Sequence, residues 1–347
     1  MTLRKFAFRF GVIPLGILMI AALASVTSQS TAAGNRVATP PLLVSAAKRP
    51  LAVRAGPAAN TTTPAIKPYF NGFENNLIGW CSFAAPPAQP PCDGTPGGGN
   101  FGTVVRVHSA NSLAPYGTGI NASSGNHYAS VNGTGISAAG CPTYPASDES
   151  CTGPFTTWNN PQGNFDTFKP FRTAVDVYLD TSWANSNPGN EFEWDTALNA
   201  RNGTFLQDYI FTVESFDSSG SQPGCTSSTS PGFVVGYSAN TNNDPGSGSG
   251  SLGSFTPACI TTTGWYRFEH RFFQFNAGGD LGVEMAVLSE PSGSVVADFV
   301  ADTGKSLTAA CAAAPASCNT AGGPLYGWFP NQNIPGLPID NVRLTTP

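Results

Sequence analysis

Residues 264–275 of this 347-residue chain read GWYRFEHRFFQF, and this stretch decides the fold. Four ring-bearing residues alternate with three charged ones along it, with Tyr266, Phe268, His270 and Phe272 on one side and Arg267, Glu269 and Arg271 on the other. A period of two residues is that of a β-strand, because successive side chains point to opposite faces. The stretch therefore predicts a strand with one buried aromatic face, on which His270 is a hydrogen-bonded core residue.

Further strands are predicted on both sides of this one. The turn at 276–280 contains Gly278 and Gly279, so it predicts a hairpin to the next strand. The other runs rich in β-branched and aromatic residues lie at 173–180, 191–198, 209–215, 281–288, 294–300 and 338–344. With 39 Gly, 30 Pro and no amphipathic stretch of three helical turns, the sequence predicts an all-β, antiparallel two-sheet sandwich of jelly-roll type.

The charge balance excludes one class of partner. Charged residues make up 11% of the chain and the formal net charge is −5. No basic stripe is present to hold a polyanion, so we expect no nucleic-acid partner.

The N-terminus has the pattern of a signal peptide. Basic residues precede an apolar stretch at 10–24, and small residues follow up to 33. We therefore expect a signal peptide at 1–33, an Ala/Pro/Thr-rich linker at 34–68 and a single sandwich domain at 69–347. No second apolar stretch of that length occurs, so we expect a secreted or extracytoplasmic protein with no membrane span after cleavage.

The eight cysteines fit that compartment, since an even count in an exported chain indicates disulfides. Their spacing favours local loop staples, namely Cys81–Cys92, Cys141–Cys151, Cys311–Cys318 and Cys225–Cys259. A metal site is the poorer alternative, because the chain has no CxxC pair and three histidines.

Both ends of the predicted domain resemble a known superfamily. The opening NGFE at 71–74 with GW at 79–80, the GW strand pair at 264–289 and the closing PIDNVRL at 338–344 are similar to concanavalin A-like and carbohydrate-binding jelly rolls. The resemblance implies a β-sandwich whose first and last strands lie together. It says little about function, because such sandwiches host lectins, hydrolases, lyases and inert spacers.

The same resemblance implies a structural calcium site. In many of these jelly rolls the matching acids of the first and last strands, here Glu74 and Asp340, ligate one calcium together with backbone carbonyls. Calcium accepts six to eight oxygen ligands of mixed type. The alternative is two exposed acids, solvated or paired with Arg343 or Lys67.

An acid row forms a second candidate site. Glu191, Glu193 and Asp195 share one face of a predicted strand, and they resemble the catalytic strand of laminarinase-like glycoside hydrolases. By position, Glu191 would be the nucleophile, Glu193 the helper and Asp195 the acid/base, although Asp195 is one methylene shorter than that family's Glu. The alternative is a solvated outer face opposite a core face of Phe192 and Trp194.

Aromatic side chains supply a third candidate, a platform on which a sugar ring could stack. Trp158 and Trp183 lie in polar, turn-rich surroundings, and Tyr178 alternates outward on its strand. These three are the predicted ligand-binding residues. The alternative is that the tryptophans fill the core, as we expect for Trp194 and Trp265.

The leading hypothesis is a non-catalytic exported sandwich that binds a polysaccharide or cell-surface glycan, or that belongs to the envelope or matrix. One alternative is a glycoside hydrolase that uses the acid row. The other is a structural or adhesive protein with no small ligand. The sequence leaves the ligand and the oligomeric state open.

Overall fold

The computed structural model describes residues 66–81, 102–111, 119–135, 151–159, 168–218, 225, 230–240, 257–309 and 318–347. All of the described residues belong to one compact unit within Asn60–Pro347.

The described residues are almost entirely strand. In chain order the strands are β1 Tyr69–Asn71, β2 Trp80–Cys81, β3 Thr103–His108, β4 His127–Asn132, β5 Thr134–Gly135, β6 Cys151–Thr152, β7 Phe155–Thr156, β8 Phe171–Leu179, β9 Glu191–Ala200, β10 Phe205–Phe216, β11 Gly232–Asn240, β12 Ala258–Ile260, β13 Gly264–Gln274, β14 Asp280–Ser289, β15 Ser294–Ser306, β16 Ala321–Trp328 and β17 Leu337–Thr345. A 3₁₀ turn, Ser109–Asn111, and one short α-helix, α1 Thr181–Ser186, complete the described elements.

Two antiparallel sheets form a sandwich. Sheet A has the order β15-β14-β13-β8-β17-β4-β3, with β1 paired to β17. Sheet B has the order β12-β11-β10-β9-β16-β7-β2, and β5 and β6 form a separate small ladder. The all-β, two-sheet class predicted from the sequence is thus confirmed, as is the pairing of the first and last strands.

The predicted strands are confirmed with small changes at their ends. The hairpin across 276–280 pairs β13 with β14 over nine positions, from Tyr266 opposite Ser289 to Gln274 opposite Leu281. The alternation of faces also holds, since the apolar positions of β8 and β13 lie in the core. Strand β16 was not predicted, because its sequence AGGPLYGW has three glycines and a proline in place of an alternating pattern.

Aromatic rings from the two sheets interlock in the core. Phe268 of sheet A meets Phe192 and Phe211 of sheet B edge to face, at centroid distances of 5.7 and 5.3 Å. Tyr209 of sheet B meets Phe272 of sheet A at 5.1 Å. Edge-to-face contacts add to the hydrophobic burial of each ring.

His270 is a core histidine, as predicted. It is fully buried, and its Nδ1 lies 3.0 Å from Thr196 Oγ1, which in turn lies 2.6 Å from Thr173 Oγ1. Burial lowers the pKa of His270 to about 3, so the ring is neutral at physiological pH.

The outer face of sheet A carries a network of ion pairs. Arg267 Nε donates to Asp176 at 3.0 Å and also pairs with Glu290. Arg271 pairs with Glu269 and with Glu284. These side chains are largely covered, so the network holds neighbouring strands in register more strongly than isolated surface pairs would.

One predicted disulfide is confirmed and the others lie partly outside the described residues. Cys225 and Cys259 are bonded, with their Cα atoms 5.6 Å apart. Cys81 and Cys318 each take part in a disulfide as well. Their predicted partners, Cys92 and Cys311, and the side chains of the Cys141–Cys151 pair are not among the described residues.

Helix α1 follows β8 and is six residues long. Asp180 caps it, because Asp180 Oδ1 accepts a hydrogen bond from Ser182 N at 2.9 Å. Within the described part of the chain, no helix is long and apolar enough to cross a membrane.

The interlocked core predicts the effect of removing its central ring. Phe268→Ala should lower the free energy of unfolding by about 3–5 kcal/mol, because it deletes a fully buried ring that contacts both sheets. Val300→Ala, at an exposed position of β15, is the matched control and should change it by about 0.5 kcal/mol or less. Urea denaturation measures both, and equal effects would contradict the packing described here.

Candidate functional site

The acid row lies on the side of sheet B that faces away from sheet A. On β9, Phe192 and Trp194 point into the core, so Glu193 and Asp195 point outward. Both acids are nevertheless 0% exposed, while Glu191 at the start of the strand is partly exposed. The expectation of a solvated outer face is therefore wrong for Glu193 and Asp195.

Two carboxyl groups in this row are held in their neutral form. Burial, followed by the negative charge of Glu191, raises the pKa of Glu193 to about 8. Burial and the charge of Asp208 raise the pKa of Asp195 well above its usual value. The side chain of Asp195 also interacts with the side chain of Asp208 and with the backbone of Tyr209.

Glu193 is fixed from two directions. Thr212 Oγ1 on β10 donates to Glu193 Oε1 at 3.1 Å, and Asn331 Nδ2 donates to Oε2 at 3.2 Å. Asn331 follows β16 and has a positive φ of 29°, an uncommon conformation that the surrounding contacts maintain. Glu193 thus ties the segment after β16 to the middle of sheet B.

The sequence analysis missed Asp208 as a member of this group. Asp208 is buried on β10, two residues before Ile210, which pairs with Asp195. The signal was present, because Asp208, Ile210 and Thr212 alternate with the core residues Tyr209, Phe211 and Val213. Trp328 of β16 also lies directly opposite Asp195 in the ladder.

The terminal strands clasp a loop between them. Glu74 Oε1 accepts hydrogen bonds from Asn126 N at 2.8 Å and His127 N at 2.9 Å. Asp340 Oδ2 accepts one from Ser124 N at 3.0 Å, and Asp176 Oδ2 accepts one from Ser123 Oγ at 2.9 Å. We call residues 123–127 the clasped loop.

The two predicted calcium ligands, Glu74 and Asp340, therefore flank the same loop. Their oxygens face N–H donors, however, and not a shared space between carboxylates. The described residues contain no group of three or more His, Cys, Asp or Glu side chains that could hold a metal. In this arrangement N–H donors occupy oxygens of both Glu74 and Asp340, and the calcium site stays a prediction.

A cleft of about 480 Å³ opens beside the clasped loop. Its described lining comes mainly from β1 and the turn after it, and consists of Tyr69, Phe70, Asn71, Gly72, Glu74, Asn75, Asn76, Ile78, Ser124 and Asn159. Phe70 is 63% exposed, and the guanidinium of Arg343 lies 5.8 Å from its ring centroid. The cleft thus combines an exposed ring with amide, hydroxyl and carboxylate groups.

The turn that builds the cleft is rigid. Asn71 Oδ1 accepts from Phe73 N at 2.8 Å, and Asn71 Nδ2 donates to the carbonyl of Ile78 at 3.2 Å. Phe73 is fully buried against Trp80 and has a φ of +57°, a strained conformation for a bulky residue. Asn159, which lines the cleft, has a φ of +49°. Strained backbone positions of this kind concentrate at functional sites.

The three predicted aromatic residues occupy different environments. Trp158 is 2% exposed and Trp183 is 6% exposed, and both belong to the hydrophobic core, where Trp183 stacks on Phe233 at 6.3 Å. As arranged here, neither ring is offered to a ligand. Tyr178 is partly exposed on the outer face of sheet A and meets Trp265 edge to face at 5.5 Å.

Comparison with known proteins gives weak likenesses. No protein-family model and no curated protein matches the sequence. The chain is similar to the metal-free form of lectin I-B4 from Griffonia simplicifolia, with 10% identity, a TM-score of 0.28, and coverage of 70% of this chain and 93% of the lectin. It is also similar to an endo-1,3-beta-glucanase from Streptomyces sioyaensis, with 11% identity, a TM-score of 0.26, and coverage of 84% and 100%. At these TM-scores, neither likeness carries an argument about function.

The buried acids predict that stability falls as the pH rises. The pKa of Glu193 rises from 4.5 to about 8 on folding, so the folded state binds the extra proton between those values. Its contribution is fully present below pH 4.5 and is lost as the pH rises to about 8, with a slope of at most about 1.4 kcal/mol per pH unit for one group.

Glu193→Gln should flatten this part of the stability profile, because an amide does not titrate. Thermal unfolding across that pH range measures the effect, and Glu214→Gln on the neighbouring strand is the control. A variant profile that keeps the full wild-type slope would show that Glu193 is not the group responsible.

Proposed function

We propose that this chain is an exported, non-catalytic glycan-binding β-sandwich and that the cleft beside β1 is its binding site. One observation carries the proposal, namely that Phe70 stands 63% exposed at the edge of a cleft lined by amide groups. The disulfides at Cys81, Cys318 and Cys225–Cys259 support a compartment outside the cytosol.

The chemistry of the lining suits a sugar. A pyranose ring has an apolar C–H face that stacks on an aromatic ring, and hydroxyl groups around its edge that need donors and acceptors. Phe70 supplies the ring, and the exposed amides of Asn75 and Asn76 supply both donors and acceptors. Because Asn71 and the clasped loop fix the turn, these groups are held in place before a ligand arrives.

The proposal predicts that Phe70→Ala weakens binding to a retained polysaccharide by about tenfold or more, since it removes the stacking surface. Phe205→Ala is the matched control, because Phe205 is 38% exposed on the β9–β10 hairpin of sheet B and does not line the cleft. The measurement is a pull-down of the full chain against a panel of soluble and insoluble polysaccharides, followed by titration calorimetry on those retained.

Two outcomes would go against this site. If no member of the panel is retained, the glycan function loses its basis and a structural or adhesive role gains weight. If a glycan is retained with equal affinity by wild type and Phe70→Ala, the chain binds glycans somewhere other than the cleft.

The acid row supports glycoside hydrolysis as a second candidate function. A retaining glycosidase needs one protonated and one ionised carboxyl group about 5–5.5 Å apart. Glu193 keeps its proton up to a pH of about 8, and Glu191 lies two positions away on the same face of β9. In this arrangement Glu193 is the better acid, whereas the sequence position gave that role to Asp195.

The two candidates differ in turnover. Reducing ends released in the pull-down tubes, and lost in Glu191→Gln while binding is retained, would favour a hydrolase. We expect binding without release, because Glu193 and Asp195 are fully buried. Release that survives Glu191→Gln would point to a contaminating enzyme.

A further inference from the structure

The charged side chains in and near the cleft indicate which class of sugar it would bind. Among the described residues that line it, Glu74 is the one acidic side chain and none is Lys or Arg. Such a lining repels uronic acids and sulfated sugars and attracts a cation. Two guanidinium groups lie nearby and are bound to other acceptors, since Arg343, which lies 5.8 Å from the Phe70 ring centroid, is 3.8 Å from Asp176, and Arg106 donates to the backbone carbonyls of Phe73 and Glu74.

Glu74 is ionised and partly open to the cleft. Burial works in the opposite direction, but hydrogen bonds from the backbone of His127 and Asn126 lower the pKa of Glu74 below its usual value. Its side chain is 40% exposed. A carboxylate has about four acceptor positions, and the two N–H groups together with His127 Nδ1, 3.2 Å from Oε2, occupy three of them.

Glu74 is also fixed in position. The clasped loop holds the Glu74 carboxylate. The last strand holds this loop in turn, since Ser124 N donates to Asp340 of β17. A Cβ at Gly125, where φ is +67°, would collide with this carboxylate, so the loop closes tightly around it. A fixed carboxylate pairs with a ligand cation at a smaller cost in side-chain entropy than a mobile one.

On the proposed glycan function, on which this inference rests, we propose that the cleft selects amino sugars that carry a free ammonium group. The ammonium pairs with the open edge of Glu74, while the C–H face of the same sugar or its neighbour stacks on Phe70. The favoured ligand is therefore a glucosamine oligomer, in preference to its N-acetylated form and to a polyuronate.

The test compares glucosamine oligomers, N-acetylglucosamine oligomers of the same length and a polyuronate by titration calorimetry at mildly acidic pH, where the amine is protonated. The full chain should bind the free amine about tenfold more tightly than the acetylated form, which corresponds to one charge-assisted contact. Added salt should reduce this preference, because it screens the exposed pair.

Glu74→Gln should abolish the preference for the amine, because glutamine keeps an oxygen for the two N–H donors but has no charge. Asp302→Asn is the matched control, since it removes one negative charge at an exposed position of β15 and should leave the preference intact. Thermal unfolding of both variants checks that the fold is retained.

Each outcome decides the inference. Equal binding of the free and acetylated oligomers, unchanged in Glu74→Gln, overturns the amino-sugar inference and leaves the glycan function standing. Failure of every oligomer to bind overturns both. A lysine oligomer that binds as tightly as the glucosamine oligomer, with the same loss in Glu74→Gln, overturns the sugar as ligand in favour of a basic peptide.

Discussion

The hydrogen bonds that clasp residues 123–127 are the constraint on which the candidate site depends. Three acids far apart in the sequence bind this loop, namely Glu74 from the turn after β1, Asp176 from β8 and Asp340 from β17. Because β1 pairs with β17, the clasp also joins the two ends of the sandwich. Each of these hydrogen bonds therefore costs little additional conformational entropy, because the fold already holds the acids in position. This arrangement sets the shape of the cleft and holds the turn after β1 in place before any ligand binds.

The acidic side chains on the two outer faces of the sandwich differ in their interaction partners. On sheet A several acids are paired with arginine, as Asp176 is with Arg267. On sheet B, Glu193 and Asp195 have no basic partner among the described residues, and burial keeps them protonated. Uncompensated buried charge is costly, so a neutral group is the cheaper solution. Such perturbed acids concentrate at functional sites, although structural networks produce them as well.

The fold was predictable from the sequence because its strands have a strict alternation. The run at 264–275 identified β13, its buried face and the position of His270 in the core. Strand β16 could not be found in this way, since AGGPLYGW owes its place to pairing with β9 and not to its own propensity. Strand pairing of that kind depends on residues more than a hundred positions away.

The candidate site was predictable only in part. The jelly-roll resemblance paired Glu74 with Asp340 as calcium ligands, but it could not show that backbone N–H groups of one loop occupy their oxygens. Trp158 lies in polar sequence surroundings and yet is buried in the core, at a position with a positive φ of 51°. Phe70 shows the opposite case, an aromatic residue left exposed at the edge of β1. Exposure of single aromatic residues depends on tertiary packing that local sequence does not record.

The most direct test of this account is a crystal structure of the chain grown with a glucosamine oligomer. We expect one sugar ring stacked on Phe70 and its ammonium group within hydrogen-bond distance of the Glu74 carboxylate, about 2.7–2.9 Å. An oligomer bound instead along Trp328 and Glu191 on sheet B, with the cleft beside β1 empty, would contradict the account and favour the acid row as the functional site.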